Sequence, residues 1–139
     1  METTLHKPAL AMARATPKST TLLFWIFTVV FCLEMCFTAY YEILPQGAQA
    51  FARLGFASGA FRFELSLAKF VGAIVLLVPM IPARLKEWAY AGFAINLVSA
   101  IVAHSSIGDR RLAFVPSALT SVLWAISYFC WRRLQGRAS

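Results

Sequence analysis

Residues 88–108 read WAYAGFAINLVSAIVAHSSIG, 21 positions without Asp, Glu, Lys or Arg. As a helix rising 1.5 Å per residue, this stretch covers about 30 Å, the thickness of a bilayer's hydrocarbon core. Working outward, residues 112–131 supply a second uncharged stretch of 20 positions. On the N-terminal side, residues 62–80 hold Glu64 and Lys69 in their first half and end at Pro79 and Pro82, which cannot continue a helix. Residues 22–44 are apolar except for Glu34 and Glu42. Four apolar segments with short links predict an all-α protein, an integral membrane four-helix transmembrane bundle. Its helices are expected at about 22–44, 62–80, 85–106 and 112–131.

Composition points the same way. Hydrophobic residues make up 60% of the 139-residue chain and charged residues 14%, where soluble domains average about 45–50% and 25%. A soluble domain of this size keeps too much surface in water to hide that apolar excess. Aromatic residues at 14% exclude a disordered chain. The net charge of +7 raises the question of nucleic acid. The cations, however, lie at the ends of apolar segments, where they orient membrane helices, so no nucleic-acid partner is expected. The partner is the lipid bilayer. Cys32, Cys36 and Cys130 all fall inside apolar stretches and form no disulfide framework.

Between these segments the chain organises simply. Residues 1–21 read as a flexible basic tail and residues 134–139 as a short basic C-terminal one, flanking a membrane domain at 22–133. In the first link, Ala48, Phe51, Ala52 and Leu54 fall at helical spacing and predict a short helix in the interface. Ala48-Gln49-Ala50 has the form of a signal-cleavage site but stands too far from the apolar stretch, so the first helix is read as retained. With four spans, one side holds Lys7, Arg14, Lys18, Arg84, Lys86, Arg132, Arg133 and Arg137. The other holds Arg53, Arg62, Arg110 and Arg111. That asymmetry predicts both termini in the cytoplasm and a multi-pass membrane protein.

Ionisable side chains inside spans are costly and usually face a partner. Counted along the helices, Glu34 lies about 12 Å from the outer surface, Lys69 about 10 Å and Asn96 about 14 Å. Thr120 and Ser121 lie at about 12–14 Å. The expectation is one polar layer of Glu34, Lys69, Asn96, Thr120 and Ser121, with Glu34 and Lys69 paired. Such a layer serves either as interhelical glue or as a site for a quinone ring or a proton relay. His104 and Asp109 form a second polar cluster at the outer end of the third helix. One His and one Asp do not make a metal site, and a helix-end role is expected. No catalytic residue is assigned.

Two runs carry a resemblance. LAKFVGA (67–73) leads into an apolar stretch and Pro79, and RLKEWAYAGF (84–93) is followed by Asn96, His104, Gly108 and Asp109. With AFARLGF (50–56), these runs resemble the DoxX-like family of small four-helix bacterial membrane proteins over roughly residues 22–133. Asn96 stands where the family carries Asp, and Thr38-Ala39-Tyr40-Tyr41-Glu42 departs from its helix 1 pattern. The resemblance implies an accessory or membrane subunit of a quinone-linked redox system of the thiosulfate or quinol oxidoreductase type, assembled with a redox-enzyme partner. No haem ligand pair, iron–sulfur cysteine pattern or nucleotide loop is present, so no covalently bound cofactor or redox centre of its own is expected. The chain is then not an enzyme by itself, and a quinone is the expected small molecule. The alternatives are a small proton-coupled transporter using Glu34, and a non-catalytic membrane scaffold.

Overall fold

The computed structural model describes residues 18–138. They form α1 (Lys18–Ile43), α2 (Pro45–Arg53), α3 (Gly59–Leu77), α4 (Ala83–Ser106), a 3₁₀ turn (Arg111–Phe114) and α5 (Val115–Ala138), with no strand among them. The tail read over residues 1–21 lies outside the described residues up to 17, and residues 18–21 already belong to α1.

Local chemistry sets the boundaries. Pro45 opens α2, where its fixed φ and missing N–H suit a first helical turn. The Ser58 hydroxyl accepts from the Phe61 N–H at 3.3 Å and caps α3. Val78, forced to an extended conformation before Pro79, ends α3 earlier than the sequence reading placed it. Gly108, at φ +64°, makes the left-handed turn after α4. The C-terminal helix runs to Ala138 and takes in residues 134–138, which the sequence reading set apart as a basic C-terminal tail. Leu134 packs on the core and carries the helix on.

α1 packs against α3 on one side and α5 on the other, while α4 closes the ring against both. Phe31, Met35, Ala73, Leu76, Tyr90, Phe93 and Trp131 fill the interior. The Phe31 and Phe93 rings meet edge to face at 5.0 Å. The outside is apolar as well: Phe37, Val71, Ile74, Trp88, Ile95, Leu119 and Phe129 are all exposed. Large apolar side chains on both the inside and the outside suit a bundle whose solvent is hydrocarbon. α1, α4 and the 111–137 stretch are each long and apolar enough to cross a membrane. α3 falls outside that set of three, having Arg62, Glu64 and Lys69 among its 19 residues.

Candidate functional site

The expected Glu34–Lys69 pair does not form. The Lys69 ammonium lies against Glu42, and the Ser66 hydroxyl donates to the other Glu42 oxygen at 3.1 Å. All three residues are buried. The reason is the lean of helical side chains toward their own helix N-terminus. α1 and α3 run antiparallel, with Glu42 beside Ser66 and Cys32 beside Ala73. Lys69 therefore leans toward the start of α3 and Glu42 toward the start of α1, so the two meet, while Glu34, eight residues earlier in α1, leans away from Lys69.

Glu34 instead meets Thr120 of α5. The Thr120 hydroxyl also lies 2.8 Å from the Pro116 carbonyl, one turn back in its own helix. Ser121 donates to the Ser117 carbonyl at 2.7 Å and joins no other helix among the described residues. Asn96, half-buried, makes no hydrogen bond among the described residues. The single layer expected from depth counting is thus split into an α1–α3 ion pair, an α1–α5 carboxyl–hydroxyl contact and a lone amide on α4.

That amide lines a groove of about 350 Å³ between α3 and α4. Val71, Leu85 and Trp88, all exposed on the bundle surface, border it. Gly72, Gly92 and Phe93 line it, and Lys69 and Asn96 are its polar residues. A methyl group on Gly72 would stand 2.8 Å from the Phe93 ring, so glycine is what lets α3 and α4 approach there.

Two constellations escaped the sequence reading in whole or in part. Ser127 sits between Thr28 and Tyr90, 2.7 Å from each hydroxyl, and all three are buried. Hydroxyl groups at these positions look like small packing residues in a sequence, since the contact spans three helices. At the other end, His104 Nδ1 lies 2.7 Å from Asp109, whose second oxygen takes the Arg53 guanidinium. The His104 hydrogen bond, with the charge of Arg53 beside it, holds the Asp109 carboxyl below the usual range. Arg53 was counted only for topology, because nothing in its local pattern reveals that α2 folds back over the α4–α5 turn.

The model of the DoxX-like family matches residues 26–126, most of the chain and every residue of these constellations except Ser127. The chain belongs to the DoxX-like family. No curated protein and no solved structure matches it. Family membership and the three apolar helices mark this DoxX-like chain as a membrane protein.

Proposed function

We propose that this DoxX-like protein crosses the bacterial inner membrane four times, with both termini in the cytoplasm. There it serves as the quinone-binding accessory or membrane subunit of a quinone-linked redox system of the thiosulfate or quinol oxidoreductase type. It carries no redox centre of its own and is not an enzyme alone. The fourth crossing is α3. Its Arg62 and Glu64 lie near the helix start, and Lys69 is offset by Glu42, which lowers the cost of placing it in hydrocarbon.

The groove between α3 and α4 is the observation that carries the quinone. Its volume of about 350 Å³ suits a small-molecule site, as does its apolar wall with very few polar groups. A quinone offers an apolar tail to Val71, Leu85 and Trp88 and a ring oxygen to the amide of Asn96. Gentle detergent extraction followed by mass spectrometry of co-purifying lipids and proteins tests the reading. Gly92→Leu is the matched control, because a Cβ at Gly92 meets nothing within 4 Å and Gly92 lines the groove. The native chain should retain quinone and the variant should lose it. If the native chain brings down neither a quinone nor a redox enzyme, the proposal fails.

A proton-coupled transporter is the second reading. It is favoured by Glu34 being spared by Lys69, which takes Glu42 as its partner. Proton-coupled efflux from proteoliposomes, lost in Glu34→Gln, would support it.

A further inference from the structure

The contact at Thr120 poses a question of proton accounting. A threonine hydroxyl has one hydrogen to donate and two lone pairs that accept. Thr120 Oγ1 stands within hydrogen-bonding distance of two oxygens, those of Glu34 and Pro116. Both cannot accept its single proton at once. Two arrangements satisfy the group. With Glu34 ionised, Thr120 donates to the carboxylate. With Glu34 protonated, the carboxyl O–H donates to Thr120, and the Thr120 hydrogen turns to the Pro116 carbonyl.

We infer that Glu34, Thr120 and the Pro116 carbonyl form a proton-loading site at the seam of α1 and α5. Its ligand is a proton, and Thr120 is the positioning residue that completes the hydrogen bonding of both states. Glu42 is the internal contrast. Ser66 stands in the same way between Glu42 and the Arg62 carbonyl, 3.1 and 3.0 Å from them, but the Lys69 ammonium lies against the other Glu42 oxygen and offsets its charge, whereas the described contacts of Glu34 include no cation. The site is independent of the groove between α3 and α4. It supplies the proton step that the transport reading requires, and it can exist without transport.

An apolar carbodiimide, dicyclohexylcarbodiimide, distinguishes the two acids in the intact chain in detergent or proteoliposomes. A carboxyl O–H adds across one C=N bond of the reagent, oxygen to the central carbon and hydrogen to nitrogen. Acyl migration then yields a stable N-acylurea, and no atom leaves. Peptide mass mapping of the unaltered protein should find Glu34 modified at least about tenfold more than Glu42, whose ionised form is held by the Lys69 ammonium against it. Thr120→Val should change the Glu34 labelling rate, raising it roughly 3- to 10-fold, because the ionised carboxyl loses the stronger of the two hydrogen bonds. Thr120→Ser should label like the native chain. Labelling of Glu34 with no proton-coupled flux in the same proteoliposomes supports the site and removes the transport reading alone. An unmodified Glu34, equal labelling of Glu42, or a Thr120→Val rate equal to native overturns the inference.

Discussion

Lys69 and Glu42 form a buried ion pair between the middle of α3 and the last turn of α1. Glu42 lies eight residues beyond Glu34, about 12 Å further along the helix. The pair therefore joins α1 to α3 near one end of the bundle, leaving Glu34 to face α5.

Removing one partner of such a pair leaves a buried charge without compensation. Lys69→Met should destabilise the protein by roughly 3–5 kcal/mol. Adding Glu42→Gln should recover most of that loss, whereas adding Glu34→Gln should recover none. Thermal unfolding in detergent across this double-mutant cycle reads the coupling. Recovery through Glu34 rather than Glu42 would contradict the geometry.

Gly47 holds α2 against the end of α1. A Cβ there would stand 2.2 Å from the Tyr41 carbonyl oxygen and 2.8 Å from Glu42 Cα, both backbone atoms that cannot yield cheaply. Gly47→Ala should cost about 1–3 kcal/mol and loosen the Glu42 site next to it. Gly136→Ala, with nothing within 4 Å, should gain about 0.5–1 kcal/mol as an ordinary helix substitution. Melting temperatures of the two variants should move in opposite directions.

Ser127 satisfies two buried hydroxyl groups at once. Ser127→Ala should cost about 2–3 kcal/mol, since Thr28 and Tyr90 both lose their partner. Tyr90→Phe removes one side of one bond and should cost about 1 kcal/mol. A chemical-denaturation series that ranks Tyr90→Phe as the more damaging would show that Ser127 is not the hub.

Asp109 makes a pH dependence at the opposite end. Its carboxyl is held below the ordinary value of 3.8 by His104 first and by Arg53. A depressed carboxyl adds stability that is fully present above its unfolded value and is lost as pH falls through the folded one. The tie from α2 to the α4–α5 turn should thus persist at neutral pH and weaken only in acid, below 3.8. Unfolding midpoints followed into acid should fall less steeply for Asp109→Asn than for the native chain. Parallel curves would remove the assignment.

How much of this was legible beforehand varies by residue. The helical class follows from uncharged runs such as residues 88–108, because in hydrocarbon a backbone must satisfy its own hydrogen bonds. Pro45, Pro79 and Gly108 mark turns through their own backbone chemistry. The family resemblance rests on local runs and is likewise a one-dimensional property. His104 and Asp109 are near neighbours in the chain, and their cluster could be anticipated. Depth counting placed Glu34 and Lys69 at similar levels but carried no information about which neighbouring helix each one faces.

Which helix each charge faces is where tertiary structure takes over. Antiparallel packing of α1 and α3 brings Lys69 to Glu42, while the face of α1 that carries Glu34 meets α5. Only packing brings Ser127 of α5 between Thr28 and Tyr90, and only the fold-back of α2 brings Arg53 to Asp109. Sequence alone determined the solvent, the helices and their ends, because those depend on runs and local backbone preferences. Which charges meet, which hydroxyl groups bridge, and where a groove stays open were decided by the docking of helices far apart in the chain.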